Sequence, residues 1–319
     1  MSEKKDIKKI LITGGSGLVG SAIKGLSQDY EYEFIFIKSA DYDLSIMEQT
    51  QNMFDKFKPN YVIHLAACVG GLFKNMNEKV NMLEKNMMIN YNVVRCCHDF
   101  CVDKLVACLS TCIFPDKTVY PINESMLHDG PPHTSNDAYA YAKRMLEIHC
   151  QTYRENYGDN FVCVIPTNIY GPNDNYHLED GHVIPSLIHK CYLAKKANID
   201  FVVRGSGTPL RQFIYSTDLA KLMMWTLENY NEKSIILSVS EQDEVTIEYI
   251  ARAVAKSFDY SDRIVFDTNF ADGQYKKTAD NGKLMSLLEK EGSFFFVSVD
   301  EGIKCTVEWF NKNYDSLRK

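Results

Sequence analysis

A tyrosine and a lysine four residues apart could carry acid–base chemistry in this sequence. Tyr139 and Lys143 occur in the segment Tyr-Ala-Tyr-Ala-Lys, at the start of a stretch with helical periodicity. A spacing of four places both side chains on one face of a helix. A lysine ammonium favours the phenolate and lowers the pKa of a tyrosine from its ordinary value of ~10. We therefore expect Tyr139 to exchange a proton with a substrate and Lys143 to lower its pKa.

A glycine-rich segment, Thr-Gly-Gly-Ser-Gly-Leu-Val-Gly, follows the first apolar run and precedes a helical pattern. Glycines at positions 14, 17 and 20 permit a tight turn, close approach of the backbone to a pyrophosphate, and close packing of helix on strand. The following helix N-terminus supplies free N–H groups for the phosphates. A glycine-rich turn without a ligand is the alternative. The strand before the segment and the helix after it favour a dinucleotide site.

The second apolar run ends in Lys38 and Ser39, at the place where NAD enzymes usually carry an acidic residue for the ribose hydroxyls. Asp41 and Asp43 come slightly later. A lysine and a serine suit a 2′-phosphate better than a carboxylate does, although a solvated lysine at a strand end is common. The residues at this position therefore favour NADP(H) over NAD.

Five apolar, strand-like runs alternate with helical patterns over the first 166 residues. The runs are residues 8–13, 33–37, 61–67, 105–110 and 161–166, and later helical patterns occupy residues 46–56, 81–100 and 139–157. Near-continuous apolar strands separated by helices predict an α/β fold, a Rossmann-type doubly wound parallel sheet. Ser110 and Thr111 then end the fourth strand, at the carboxyl edge where ligands bind in such sheets.

The regular alternation of strand and helix patterns ends after residue 166, where prolines and glycines separate shorter elements. Helical patterns recur at residues 182–197, 217–229 and 245–257. We interpret residues 1–166 as an NADP-binding Rossmann domain. Residues 167–319 are interpreted mainly as a smaller substrate-binding lobe, with segments interleaved with the sheet.

The composition is that of an ordinary globular protein and excludes several functions. The 319 residues include 35 Lys and Arg and 42 Asp and Glu, a net charge of −7, which argues against nucleic-acid binding. No apolar run approaches the ~18–20 residues of a membrane helix, and the polar, charged start of the sequence leads us to expect no secretory signal. The ten cysteines form no C-x-x-C pair and no zinc-ligand grouping, so we expect reduced thiols, no metal, and a cytoplasmic location.

Six further sequence blocks narrow the interpretation. They are STCIFP at residues 110–115, YAYAKR at 139–144, PTNIYGPNDNYH at 166–177, GHVIPSLIHK at 181–190, GSGTPLRQF at 205–213 and DGQYKK at 272–277. With the glycine-rich segment they resemble the extended, sugar-nucleotide-modifying branch of the short-chain dehydrogenase/reductase superfamily. Within that branch, they look like the GDP-L-fucose synthase family over about residues 8–310.

The resemblance implies a two-step reaction on a GDP-4-keto-6-deoxy sugar. Cys112 and His182 would form the acid–base pair for 3,5-epimerisation, and NADPH would then reduce C4 with Tyr139 as proton donor. Ser110 and Tyr139 would hold the C4 oxygen, and Lys143 would hold the nicotinamide ribose. Without the resemblance, a lone cysteine is usually structural and a histidine at a helix start is often a cap.

The resemblance also implies the contacts of cofactor and substrate. Its cofactor positions are Gly14, Gly15, Ser16, Gly17, Leu18, Val19, Gly20, Ser39, Asp43, Leu44, Cys108, Leu109, Ser110, Thr111, Lys143, Pro166, Thr167, Asn168, Ile169 and His182. Its diphosphate, nucleoside and sugar positions are Lys190, Arg204, Arg211, Asp272 and Lys277. Arg204 departs from the aromatic residue expected before the glycine turn, and Lys277 could equally be a solvated surface charge.

Three alternatives stay open. A 4-epimerase on the same frame would leave Cys112 and His182 idle, and a 4,6-dehydratase would need an Asp-Glu pair where this chain has Thr111 and Cys112. The third alternative is a non-catalytic NADP-sensing protein. The resemblance further implies a homodimer, in which residues 81–100 and 139–157 of two subunits form a four-helix bundle.

Overall fold

The computed structural model describes residues 7–270, 272 and 274–317. The strands of this part of the chain are β1 (Lys9–Thr13), β2 (Glu33–Ile37), β3 (Tyr61–His64), β4 (Lys104–Cys108), β5 (Phe161–Pro166), β6 (Asn168–Tyr170), β7 (Phe201–Arg204), β8 (Leu210–Arg211), β9 (Phe213–Tyr215), β10 (Ser234–Leu237), β11 (Val245–Thr246) and β12 (Ile264–Asp267). Its helices are α1 (Leu18–Leu26), α2 (Met47–Phe57), α3 (Leu72–Asn77), α4 (Lys79–Asp99), α5 (Asp137–Tyr157), α6 (Val183–Ala197), α7 (Ser216–Asn229), α8 (Ile247–Ser257), α9 (Gly282–Leu288) and α10 (Val299–Asn313).

A six-stranded parallel sheet forms the centre of the fold, in the order β10-β5-β4-β3-β1-β2. Five of its strands are buried on both faces, as the continuous apolar runs predict, whereas the edge strand β2 is mostly half-buried and begins with the exposed Glu33. Ile10, Leu11 and Ile12 of β1, for example, are wholly buried, and each such side chain contributes roughly 1.5–3 kcal/mol to the stability of the fold. The predicted Rossmann-type doubly wound sheet is confirmed.

The carboxyl-terminal half of the chain contributes to two structures. Its strand β10 pairs with β5 and extends the central sheet. Its helices α6, α8 and α10 pack around a separate apolar cluster that includes Tyr176 and Phe310. Three two-stranded pairings, β6 with β9, β7 with β12 and β8 with β11, connect these segments. Sequence patterning did not find β10, α9 or α10.

Several predicted boundaries were wrong by a few residues. β3 ends at His64 rather than at residue 67, because the N–H of Leu65 is shared between the carbonyl and the hydroxyl of Thr13 and the N–H of Ala66 donates to that hydroxyl. Helix α8 begins at Ile247 because Val245–Thr246 pair with Leu210–Arg211 as a short strand. Within the described residues, no helix is both long and apolar enough to span a bilayer.

Candidate active site

The glycine-rich loop has the geometry of a phosphate cradle. Gly14 has φ +69°, and a Cβ there would lie 2.9 Å from the backbone nitrogen of Ala66. A Cβ on Gly20 would lie 2.6 Å from the carbonyl oxygen of Gly14. Helix α1 begins after Gly17 with no side-chain cap and no acidic residue in its first turn. The exposed N–H groups of this helix end therefore fit the phosphates of a dinucleotide.

The carboxyl end of β2 lies beside this loop, because Gly15 N donates to Ile37 O at 2.8 Å. Lys38 and Ser39 are exposed there, and Lys38 N donates to the carboxylate of Asp41 at 2.9 Å. The carboxylate of Asp43 accepts from the backbone and hydroxyl of Ser45, which lowers the pKa of Asp43. Asp43 is thus engaged within its own turn, whereas the side chains of Lys38 and Ser39 face solvent.

Residues after β4 and β5 complete the predicted cofactor positions. Leu109 is buried, and its backbone nitrogen donates to Val164 O at 2.8 Å. Thr167 is buried at the end of β5, and its hydroxyl has no hydrogen-bond partner among the described residues. Asn168 is held by a bond from its amide to Gln212 O at 2.9 Å. The buried, unpaired hydroxyl of Thr167 is free to bond a ligand at this end of β5.

Lys143 is buried on α5, where its Nζ donates to the carbonyl oxygen of Cys108 at 2.7 Å. Burial lowers its pKa. The Nζ atom lies 5.9 Å from the centre of the Tyr139 ring. The helix therefore places the predicted tyrosine and lysine on one face, against the end of β4.

The pKa of Tyr139 differs from the expectation. Burial raises it well above its ordinary value, and the thiols of Cys112, Cys108 and Cys68 raise it further. The expected lowering of this pKa is not seen in this structure, because burial of the phenol disfavours its charged form. At neutral pH the Tyr139 phenol is consequently protonated.

Ser110 and Cys112 lie in the tight turn that follows β4. Ser110 precedes the 3-10 turn Thr111–Ile113, and its hydroxyl oxygen accepts the backbone N–H of Cys112 at 3.4 Å. The buried Arg144 fastens this turn to α5, since its Nε donates to Ile113 O at 2.6 Å. The half-buried Cys112 is therefore carried on a rigid segment beside Tyr139 and Lys143.

A small cavity opens beside Cys112. Its lining includes Thr118, Tyr120, His133, Gln274 and Lys277. Burial raises the pKa of the Cys112 thiol, while the Ser110 hydroxyl and the ammonium groups of Lys277 and Lys143 act in the opposite direction. Burial also lowers the pKa of Lys277. Lys277 is thus a half-buried neighbour of the thiol, not a solvated surface charge.

His182, the predicted partner of Cys112, lies on a different segment, at the start of α6. His182 is exposed and is the residue directly before α6. Its side chain does not cap the helix, and the hydrogen bonds and ion pairs among the described residues do not join it to Cys112. The structure brings Ser110, Cys112, Tyr139 and Lys143 together, but it shows no contact between His182 and this group.

Arg204 and Lys190 form a second basic group, on the carboxyl-terminal segments. The guanidinium of Arg204 binds both carboxylate oxygens of Glu179, at 3.1 and 3.4 Å, and lies 4.7 Å from the ring centre of Phe270. Burial lowers the pKa of Lys190, and the nearby charge of Arg204 lowers it further. The guanidinium therefore lies over a ring, at the position where the resemblance predicted an aromatic residue.

Arg211 and Asp272 are held by local backbone. Arg211 donates to Leu210 O and to Gln274 O, both at 2.6 Å, and burial lowers its pKa. The carboxylate of Asp272 accepts from the backbone of Ser206 at 2.9 Å and from its hydroxyl at 2.6 Å. Asp272 thereby stabilises the glycine turn that follows Arg204, and Arg211 fixes the segment that leads to Lys277.

Comparison with known proteins adds a decisive observation. Residues 10–239 match the NAD dependent epimerase/dehydratase family. A GDP-L-fucose synthase from Dictyostelium discoideum is 53% identical over 323 residues, covering 100% of both chains. A probable GDP-L-fucose synthase from Drosophila melanogaster is 48% identical over 98% of this chain and 100% of its own.

The chain belongs to the GDP-L-fucose synthase family.

A solved structure of the family agrees in fold. The GDP-L-fucose synthetase from Naegleria fowleri bound to NADP superimposes with a TM-score of 0.93 at 48% identity, covering 100% of this chain and 97% of that chain. This agreement extends over the Rossmann sheet and the carboxyl-terminal segments together. The fold class and the family expected from the sequence motifs are confirmed.

Two residues beside the Cys112 segment were not found by sequence reasoning. Arg144 directly follows Lys143, and its place on a buried helix face was the signal that could have revealed it. His133 lines the Cys112 cavity, and its Nδ1 atom lies 2.7 Å from the Ser135 hydroxyl. No spacing rule points to His133, because the cavity is assembled from segments distant in the sequence.

Proposed function

We propose that this protein converts GDP-4-keto-6-deoxy-D-mannose to GDP-L-fucose with NADPH, by 3,5-epimerisation followed by reduction at C4. The observation that carries the proposal is the placement of the Cys112 thiol beside Ser110, Tyr139 and Lys143. A 4-epimerase needs no second acid–base group there, and a 4,6-dehydratase needs a pair of carboxyl groups. The family membership supports the same substrate class.

The epimerisation is proton chemistry at the two carbons that flank the keto group. Their hydrogens are acidic because the carbanion is stabilised as an enolate. Ser110 and Tyr139 are proposed to donate hydrogen bonds to the enolate oxygen, which is the group that develops negative charge. Cys112 and His182 are proposed to remove and return protons. His182 would have to reach the sugar from the start of α6, while Cys112 is already beside the tyrosine.

The reduction requires a hydride and a proton at the keto group. NADPH supplies the hydride when bound. Tyr139 is proposed to donate the proton, and its raised pKa keeps the phenol protonated for this role at neutral pH. Lys143 is proposed to hold the nicotinamide ribose from its position beside Cys108. The exposed Lys38 and Ser39 suit the 2′-phosphate.

The basic residues of the carboxyl-terminal lobe are proposed to bind the substrate nucleotide. Lys190, Arg211 and Lys277 carry charges that suit a diphosphate. Arg204 presents a planar guanidinium suited to stacking or to phosphate, and Asp272 supports the turn beside it. We accordingly propose that residues 1–166 bind mainly NADP(H) and that residues 167–319 bind mainly the GDP-sugar.

We also propose a homodimer formed through α4 and α5. These helices pack against each other and leave large apolar side chains exposed, among them Met87, Met88, Tyr91, Tyr141, Met145 and Ile148. A second copy would cover these side chains in a four-helix bundle. A cytoplasmic location is proposed because all ten cysteines are free thiols.

The test is turnover of GDP-4-keto-6-deoxy-D-mannose by the purified protein, with NADPH absorbance and product NMR as readouts. GDP-L-fucose formation coupled to NADPH oxidation is expected, and the Tyr139→Phe variant should lose NADPH oxidation by at least about 100-fold while still binding NADPH. Reduction to an unepimerised sugar would remove Cys112 and His182 from their roles. NADPH binding without turnover would favour an NADP-sensing protein.

A further inference from the structure

A wholly buried histidine lies at the end of β3, next to the catalytic helix. The Nδ1 atom of His64 is 2.8 Å from the hydroxyl of Thr13, and its Nε2 atom is 3.1 Å from Oδ1 of Asn90. Asn90, itself buried on α4, donates through Nδ2 to the carbonyl oxygen of Ala142 at 3.4 Å. These contacts form one chain from the end of β1, through β3 and α4, to α5.

The hydrogen bonds determine where the protons of this chain lie. The hydroxyl oxygen of Thr13 accepts the N–H groups of Leu65 and Ala66, each at 3.1 Å. Both of its lone pairs are then used, so its own hydrogen points to Nδ1 of His64. His64 consequently carries its proton on Nε2 and donates to Asn90. That bond in turn directs the Asn90 amide nitrogen toward Ala142.

This hydrogen-bond chain is uncharged, although the Lys143 ammonium lies near it. Burial lowers the pKa of His64 to about 3, and the nearby Lys143 ammonium acts in the same direction. An imidazolium would also lose its bond from the Thr13 hydroxyl, because Nδ1 would become a donor. A neutral histidine therefore supports the site without adding a second positive charge next to Lys143.

Both ends of this hydrogen-bond chain, Thr13 and Ala142, lie in the proposed reductase site. Thr13 directly precedes the glycine loop, and the segment that its hydroxyl binds packs against Gly14. Ala142 lies within the turn of α5 that carries Tyr139 and Lys143. These hydrogen bonds thus connect the residue before the glycine-rich loop with the turn of α5 that carries Tyr139 and Lys143.

We propose that His64 and Asn90 are positioning residues for C4 reduction. They align the turn of α5 that carries Tyr139 and Lys143 with the glycine-rich loop. This inference rests on the proposed function, but the proton positions can be tested without substrate. Neither residue touches a reacting atom. Their contribution is alignment, and alignment errors of about 1 Å can cost roughly 100-fold in rate.

The first experiment is ¹⁵N NMR of the imidazole nitrogens in the full-length protein with NADPH. We expect a neutral His64 with its proton on Nε2 throughout the pH range in which the protein is folded. A His64 signal with the proton on Nδ1, or an imidazolium at neutral pH, would overturn the inference. This result does not depend on which sugar the protein reduces, so it separates the inference from the proposed function.

The second experiment compares His64→Leu, His64→Gln and Asn90→Leu. A glutamine amide can donate in place of Nε2, so we expect His64→Gln to keep kcat within about threefold, while the two leucine variants lose about tenfold or more. The Kd for NADPH should change less than about twofold in all three. Equal losses in His64→Gln and His64→Leu, or full activity in the leucine variants, would contradict the proposal.

A control separates alignment from stability. Thr226→Val removes another buried hydrogen bond, from the Thr226 hydroxyl to Leu222 O at 2.7 Å on α7. It should lower the Tm but leave kcat unchanged. If His64→Leu does not fold, Asn90→Leu provides the same comparison. A kcat loss in Thr226→Val equal to that in Asn90→Leu would show a stability effect and overturn the inference.

Discussion

The Nζ atom of Lys143 donates a hydrogen bond to the carbonyl oxygen of Cys108 over 2.7 Å. This bond joins helix α5 to the last residue of β4, two residues before Ser110. The helix is also joined to the following turn, through Arg144 and Ile113. The side chains proposed for reduction and the thiol proposed for epimerisation are therefore carried on one connected unit, so a substrate could meet both without leaving the site.

Substitution of Cys112 should separate the two steps. We expect Cys112→Ser to slow deuterium exchange at C3 and C5 of the substrate by at least about 100-fold, because a serine hydroxyl is a far weaker base than a thiolate. NADPH affinity should be unchanged. Exchange in D₂O can be followed by NMR, with Cys101→Ser, at an exposed cysteine, as the matched control. Normal exchange in Cys112→Ser would exclude the thiol from epimerisation.

His182 is exposed and directly precedes α6, and its substitution tests whether this helix end reaches the sugar. We expect His182→Asn to slow exchange with inversion at both carbons, because each inversion needs a base on one face of the sugar and an acid on the opposite face. The matched control is His177→Asn, at another exposed histidine of the same segment. Unchanged exchange at both carbons would assign the second acid–base role to another group. His133, which lines the Cys112 cavity, would then be the candidate.

Lys277 should control the pH at which Cys112 reacts. Its ammonium favours the thiolate, so the Lys277→Met variant should raise the Cys112 pKa and move the alkylation curve to higher pH. Iodoacetamide labelling of the Cys112 peptide, read by mass spectrometry, gives that curve. Lys276→Met is the matched control because Lys276 pairs with Glu241 and Glu244. A shift to lower pH, or the same shift in both variants, would contradict the assigned contact.

Arg204 should contribute to substrate binding and not to chemistry. We expect Arg204→Ala to raise the KM for the GDP-sugar about tenfold and to leave kcat unchanged, since a binding contact outside the reacting centre is made equally in ground and transition states. Arg252→Ala is the control. Arg252 also pairs with a glutamate, Glu248, and its guanidinium lies 6.0 Å from the ring centre of Phe266. Equal KM values for Arg204→Ala and the unmodified protein would remove Arg204 from the substrate site.

The exposed apolar face of α4 and α5 should determine the oligomeric state. Met145→Glu places a charge in the proposed four-helix bundle and should convert a dimer to a monomer, because burial of an unpaired carboxylate is costly. Light scattering coupled to size-exclusion chromatography measures the mass. Ile199→Glu introduces the same charge at another exposed apolar residue and should leave the dimer intact. A monomeric unmodified protein would contradict the proposal directly.

Much of the amino-terminal half could be predicted from the sequence. Apolar runs such as residues 33–37 and 161–166 coincide with the observed strands. The second of these is apolar throughout because it is an inner strand whose two faces are both buried. The spacing of Tyr139 and Lys143 was equally informative, since helical geometry is local. Strand β10 was missed because its three apolar residues, Ile235–Leu237, carry little periodic signal, and its place beside β5 depends on long-range pairing.

The amino-acid sequence alone determined the Rossmann-type sheet, the dinucleotide loop, the Tyr139–Lys143 pair and, through the sequence blocks, the family. These features are encoded by short-range periodicity and by motifs of contiguous residues. Only the tertiary structure decided that burial raises the pKa of Tyr139, that Lys277 lies beside Cys112, that the Arg204 guanidinium lies over the Phe270 ring, and that hydrogen bonds through His64 and Asn90 connect Thr13 to α5. These features depend on burial and on contacts between residues far apart in the chain, and no local pattern specifies either.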